Sequence, residues 1–239
     1  MRIRTLCISI ALCCASLTTL AAEQDGEQPT VRIEFSAYSL SNHLGKIAYL
    51  ANDGVQHLEI TNYRRSELQS YEGPPVLTFF HGELDENGQP VDILTQVPLN
   101  TQLKRPLLLF DESTSGTHVL QIEDDVNLAP AGSLRFMNLS DMRQQLFVGI
   151  GESAEIRKKI EPLGIVNYRI EDDDVGNLRI QIARANDGAP EMLKDMRIFP
   201  NKLQRNLYFI FQPDRNKPRL KIKLLSEKPR TAPADSSSE

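Results

Sequence analysis

The chain reads as an all-β protein: two consecutive antiparallel β-sandwiches behind an N-terminal export segment. Three observations carry that reading. Short runs with strand character recur between turn signals along the whole length, and no long 3.6-residue periodicity appears. The runs fall into two sets on either side of the Pro/Gly-containing segment Asn127–Gly132. Ahead of both sets stands a short apolar stretch with two arginines before it and small residues after it.

That leading stretch comes first. Arg2 and Arg4 precede an apolar run from Leu6 to Leu17, and Thr18-Thr19-Leu20-Ala21-Ala22 leads into the polar Glu23-Gln24-Asp25-Gly26. This is the three-part pattern of a secretory signal, with cleavage after Ala21 or Ala22 and a periplasmic or secreted product. The apolar run is short for a membrane span of about 20 residues. Ile3 separates the arginines, so there is no twin-arginine pair. A lipidated cysteine would follow a small residue, whereas Leu12 precedes Cys13. Cys7, Cys13 and Cys14 all lie in this stretch, so the exported part is expected to hold no disulfide, thiol nucleophile or thiolate metal site. A cysteine-free exported chain points to a bacterial envelope.

The first set of strands is expected at Val31–Tyr38, Lys46–Leu50, Val55–Thr61, Val76–Leu84, Ile93–Val97, Leu103–Asp111 and Thr117–Ile122. Asn52-Asp53-Gly54 is a hairpin signal, because Asn and Gly tolerate positive φ, and Asp85-Glu86-Asn87-Gly88 is a second turn. The second set is expected at Ser133–Leu139, Gln145–Ile150, Ala154–Ile160, Ile165–Ile170, Asn177–Ala183, Asp195–Phe199, Asn206–Gln212 and Arg219–Leu224, with Glu191–Asp195 as a short helical turn. Leu146, Val148 and Ile150 share one face, as do Leu178, Ile180 and Ile182. Leu207–Phe211 is apolar on both faces, as a strand covered on both sides must be.

Seven or eight strands per half, at the spacing of sandwich folds, give two domains of immunoglobulin-like size. The expected division is a signal at 1–22, a flexible segment at 23–30, sandwiches at 31–126 and 133–226, a linker at 127–132, and a disordered tail at 227–239. Ile122-Glu123-Asp124-Asp125-Val126-Asn127 echoes Ile170-Glu171-Asp172-Asp173-Asp174-Val175-Gly176-Asn177, each an apolar strand end running into an acidic turn, as either a duplicated domain or two acidic loops alike by chance would give.

Composition narrows the function classes. The 239 residues are 40% hydrophobic and 25% charged, with net charge −5. Without Arg2 and Arg4 the exported part carries 25 basic and 32 acidic side chains, net −7. A net-acidic chain is a poor nucleic-acid binder, because that binding rests on phosphate neutralisation. Charge is unevenly spread along the sequence. Asn201–Arg230 holds nine basic and two acidic side chains, net +7, against 16 and 28 over Ala22–Pro200. Lys221 and Lys223 alternate with Leu220, Ile222 and Leu224, so their charges should leave the outer face of the last strand. With Arg219 they are the candidate binding residues, for an envelope protein or an anionic envelope polymer. Lysines there would also guard an edge strand against aggregation.

Other chemistry is thinly represented. Asp172, Asp174 and Asn177 offer three oxygens for calcium, and Asp85 with Asn87 offer two elsewhere; neither loop follows the spaced EF-hand pattern. His43, His57, His81 and His118 show no HExxH spacing. His57 should lie on an outer face beside Glu59, His118 should be partly buried, and His81-Gly82-Glu83 ends a strand. No Gly-x-Ser-x-Gly or Ser-x-x-Lys occurs, and Gly149-Ile150-Gly151 lacks the rest of a phosphate loop.

Two consecutive sandwiches in an exported chain of this size resemble the periplasmic pilus chaperones in length and strand count. That resemblance implies a client-pairing strand and a basic anchoring pair. Leu103–Asp111 does not alternate cleanly as such a strand would, and no residues are assigned to the pair. The expectation is therefore a non-catalytic binding or adaptor module of the envelope. Its alternatives are a carbohydrate-active enzyme using paired carboxylates and a calcium-stabilised sandwich.

Overall fold

A computed structural model describes residues 29–113, 116–140, 146–151, 154, 156–171, 177–184, 190–212 and 220–229. The first sandwich is built from β1 (Val31–Ser39), β2 (Gly45–Ala51), β3 (Gly54–Ile60), β4 (Gln69–Gly73), β5 (Val76–Phe80), β6 (Ile93–Pro98), β7 (Pro106–Ser113) and β8 (Gly116–Glu123). The second is built from β9 (Ser133–Asn138), β10 (Leu146–Gly151), β11 (Ile156–Ile160), β12 (Ile165–Arg169), β13 (Leu178–Arg184), β14 (Glu191–Ile198), β15 (Arg205–Phe211) and β16 (Lys221–Glu227). No helix among the described residues is long and apolar enough to cross a membrane.

The sheets are ordered β4-β1-β7-β8 and β3-β2-β5-β6 in the first sandwich, and β12-β9-β15-β16 and β11-β10-β13-β14 in the second. Adding eight to each strand of the first pair reproduces the second. The two halves are therefore one topology used twice. Corresponding strands agree in detail: β7 and β15 each lie beside the first strand of their domain in the one parallel pairing of an otherwise antiparallel sheet. The fourth strands β4 and β12 each supply a core tyrosine, Tyr71 and Tyr168. The acidic echo in the sequence is not part of this correspondence, since Ile122 lies in the eighth strand and Ile170 follows the fourth.

Each sandwich has its own core. Phe35, Tyr49, Phe79 and Phe110 pack edge to face in the first, and Phe136 stacks on Tyr208 in the second with centroids 4.7 Å apart. β4 is absent from the sequence reading because Gln69-Ser70-Tyr71-Glu72-Gly73 sends only Tyr71 and Gly73 inward, too short an alternation to register. Tyr71 donates its hydroxyl to the Pro74 carbonyl at 2.7 Å and lies across Gly73, where a Cβ would come within 2.7 Å of that hydroxyl. The helical turn expected at Glu191–Asp195 is instead the start of β14. A bulge at Ile182/Ala183 shifts the register there and breaks the alternation that would have marked a strand. β7 starts at Pro106 rather than Leu103, and β5 stops at Phe80 rather than Leu84.

Turn chemistry follows the sequence closely. Asn52 and Asp53 join β2 to β3, but Gly54 takes the positive φ, at 113°. Leu163 sits at φ 57° in the β11–β12 turn, after Pro162 and with the Gly164 N–H bonded to the Glu161 carbonyl at 2.8 Å. That is the third position of a type II turn, which favours glycine. Leu163 is 67% exposed, so its side chain contributes little packing. Leu163→Gly is expected to raise stability by about 1 kcal/mol, checked by urea unfolding.

One buried hydroxyl is badly placed. Tyr208 is 1% exposed and its hydroxyl has no hydrogen-bond partner among the described residues. Tyr208→Phe should therefore raise the unfolding free energy by about 1 kcal/mol. Burial also pushes the phenols of Tyr208 and Tyr38 up to about 12. Because the folded value lies above the ordinary value of 10.0, the stability linked to the neutral form is complete below pH 10 and lost as pH rises through 12. The unfolding midpoint followed into alkali should fall in that window, and fall less in Tyr208→Phe.

Candidate functional site

The two sandwiches meet face to face. The sheet β4-β1-β7-β8 turns Tyr38, Leu107 and Leu109 away from its own core, and β12-β9-β15-β16 turns Met137, Leu207, Phe209, Phe211 and Leu225 towards them. Tyr38 stacks on Phe209 across the seam at 5.5 Å. This explains why β15 is apolar on both faces: Tyr208 and Ile210 fill the second core while Leu207, Phe209 and Phe211 fill the seam. From the segment 127–132, Ala129 is buried in the same place, while Asn127, Leu128 and Ala131 are exposed.

A closed ring of charges borders this apolar patch. Arg65 Nη1 and Arg205 Nη2 both donate to Asp124 Oδ2, the latter at 3.1 Å. Arg65 Nη2 and Arg205 Nη2 both reach Glu227 Oε1 at 2.7 Å. Each carboxylate thus bridges one arginine from each sandwich. The side chains are between 2% and 18% exposed, so the contacts are shielded from water and salt in a way that surface pairs are not. Arg135 lies in the same seam, 4% exposed, with Nε and Nη1 lacking partners among the described residues. Burial pulls its guanidinium below the ordinary arginine value, against the opposing pull of Asp124.

Lys221 and Lys223 lie on β16, an edge strand, opposite Phe211 and Phe209. They do leave the face turned from the second core, but that face carries the seam: Lys221 is exposed and Lys223 half-buried. Leu224 alternates inward in register yet is 45% exposed. Arg219 lies outside the described residues. So do Asp172 and Asp174; Asn177 is exposed just ahead of β13.

Asp85 is committed to its turn, where Oδ1 accepts the N–H groups of Asn87 and Gln89 at 2.8 Å each. Those bonds, the one from Gln89 foremost, hold its carboxyl below the usual range. His43, His57, His81 and His118 are all exposed. His57 takes the outer face beside Glu59 as expected, whereas His118, expected to be partly buried, is exposed on β8. No group of three or more His, Cys, Asp or Glu side chains comes together to hold a metal among the described residues.

One surface escapes a linear reading. On the sheet β11-β10-β13-β14, Leu178, Ile180 and Ile182 face the core, which turns Arg179 and Gln181 outward. Their strand partners Arg197 and Asp195 lie on the same outer face, as do Arg157 and Lys159 opposite Gly149 and Phe147. Only Arg157-Lys158-Lys159 is visible as a run in the sequence; the other cations join it through strand pairing.

No protein-family model matches the chain, and no curated protein matches it. Among solved structures it is similar to the SMP domain and paired C2 domains of Extended-Synaptotagmin 2, at 12% identity and a TM-score of 0.22, over 83% of this chain and 56% of that one. It is also similar to the paired C2 domains of Extended-Synaptotagmin 2 alone, at 10% identity and a TM-score of 0.23, over 96% of this chain and 100% of that one. The chain thus spans about half the length of the first of these. Similarity at these values carries no activity from one chain to the other.

Proposed function

We propose that the chain is an exported bacterial protein that works by binding, as a non-catalytic adaptor of the cell envelope in the periplasm or outside the cell. The export reading rests on the signal pattern of residues 1–22 and on a chain without cysteine beyond Cys14. The observation that carries the binding reading is the seam. Two sandwiches joined through Tyr38, Phe209 and the Arg65–Asp124–Arg205–Glu227 ring hold their exposed surfaces in one fixed relation. Such pre-organisation lowers the ordering cost of an extended contact. The partner is an envelope protein or an anionic envelope polymer, and Arg219, Lys221 and Lys223 are its contact residues.

The test is capture of the tagged protein from cross-linked cell envelopes, repeated with Lys221→Glu and Lys223→Glu together. A partner recovered in stoichiometric amount and lost from the variant is the expected result. Turnover of an envelope substrate by the purified protein, abolished by one carboxylate change, would overturn it.

A further inference from the structure

One connection of the first sandwich carries more chain than the topology needs. β3 is joined to β4 through residues 61–68, whereas the corresponding strands β11 and β12 are joined through 161–164. Arg65 uses part of the extra length to reach the charge ring, and Ser66 uses part of it to exchange hydrogen bonds with the Ala37 backbone. Neither accounts for Tyr63, which stands 65% exposed just ahead of them.

The tyrosine rests on a well-tied base. Asn62 Nδ2 donates to the Ser41 carbonyl at 3.0 Å, and the Asn62 carbonyl accepts the Tyr38 hydroxyl at 3.1 Å. Thr61 Oγ1 closes the turn, donating to the Arg64 carbonyl at 2.8 Å and accepting the Arg64 N–H at 3.1 Å. His43, from the β1–β2 connection, lies in a plane 11° from that of Tyr63 with centroids 6.2 Å apart. Arg64, paired with Glu59 at 2.6 Å, comes within 5.9 Å of the same ring centre. A ring capped on both faces could not be 65% exposed, so at least one face of Tyr63 is open to solvent.

Planar hydrogen-bonding groups lie alongside. Asn42, next to His43, donates Nδ2 to Glu112 Oε2 at 2.8 Å, and Ser41 donates to Asp111 Oδ1 at 2.8 Å. These bonds tie the β1–β2 connection to the end of β7. After them Asn42 keeps a carbonyl and a second N–H, and Glu112 a second carboxylate oxygen.

We propose that Tyr63 and this polar row bind the pyranose ring of a glycan. Such a ring has an apolar C–H face and an edge of hydroxyls. The C–H face lies on the electron-rich face of Tyr63, and the hydroxyls exchange hydrogen bonds with Asn42, His43 and Glu112. Because both connections are already ordered, little freedom is lost on binding. Other ligand chemistries fit less well. An anion would meet the carboxylates of Asp111 and Glu112, both half-buried, while Arg64 is taken by Glu59. A wholly apolar ligand would strip water from Asn42 and Glu112 and return no hydrogen bond. A quaternary ammonium takes an aromatic cage, whereas Tyr63 and His43 lie in near-parallel planes and enclose nothing. The inference goes beyond the envelope-partner reading and does not rest on it, since Lys221 and Lys223 belong to the other sandwich.

Residues 23–239 are titrated with a tetramer of N-acetylglucosamine and with maltotetraose, followed by calorimetry and by saturation transfer to the sugar C–H protons. Binding to at least one is expected, and it should not change between low and physiological salt because the ligand is uncharged. Tyr63→Ala should weaken it about tenfold, and Tyr63→Phe, which keeps the ring, by less than about twofold. Asn42→Ala should weaken it about fivefold. Tyr63 is exposed, so its variants should keep the parent melting temperature. Phe199→Ala, which removes an aromatic side chain 82% exposed between β14 and β15, is the control and should change nothing. The N-acetylated tetramer alone identifies an amino-sugar glycan, and maltotetraose alone a plain glucan. No binding to either, undiminished binding by Tyr63→Ala, or equal losses in Tyr63→Ala and Phe199→Ala would each overturn the assignment. None of these bears on the envelope capture, which is decided independently.

Discussion

Asparagine in place of Asp124 is expected to lower the unfolding free energy by about 3–5 kcal/mol, read as a fall in urea midpoint at unchanged slope. The carboxylate accepts from Arg65 and Arg205, one from each sandwich. Without its charge, Arg65, Arg135 and Arg205 share the seam with Glu227, while Glu123 and Asp125 act on Arg135 only from a distance. Arginine cannot escape by losing its proton. Glu59→Gln is the matched control, because it removes an exposed carboxylate from Arg64. Its effect should stay within about 1 kcal/mol. Equal effects of the two substitutions would show that the ring does not hold the seam.

Phe209→Ala is expected to cost about 3–5 kcal/mol as well, with a different signature. Its ring is fully buried, stacks on Tyr38 and faces the seam rather than the second core. Removing it takes contacts from both sandwiches while leaving the Phe136–Tyr208 stack in place. Calorimetry of the variant should therefore resolve two transitions. One transition, merely shifted down, would mean that Phe209 supports the second sandwich alone.

The fold was largely legible because its rules are local. Alternation in Leu146-Val148-Ile150 and Leu178-Ile180-Ile182 marks strands with one buried face, and the unbroken Leu207–Phe211 marks a strand covered twice. What covers it was not legible. The seam joins Tyr38 and Leu109 to Phe209, residues far apart in sequence with no pattern linking them. The charge ring is hidden for the same reason. Asp124 reads locally as part of an acidic turn and Glu227 as the start of a charged tail, and only the packing of the two sandwiches makes them bridges. The net charge of a segment misleads in a related way. The basic outer face takes Arg157, Arg179 and Arg197 from a stretch that is acidic overall, because strand pairing sorts side chains by face and ignores the segment average. The duplication survives in strand order and not in residue identity, and the acidic echo that pointed to one joins strands that do not correspond.

The two sandwiches form one cooperative body through the seam, and differential scanning calorimetry of residues 23–239 tests this most directly. A single transition, with calorimetric and van't Hoff enthalpies equal, is the predicted result. Two transitions in the unaltered protein, each with the enthalpy of about half the chain, would contradict it. They would leave the sandwiches as independent domains with no fixed relation between their surfaces.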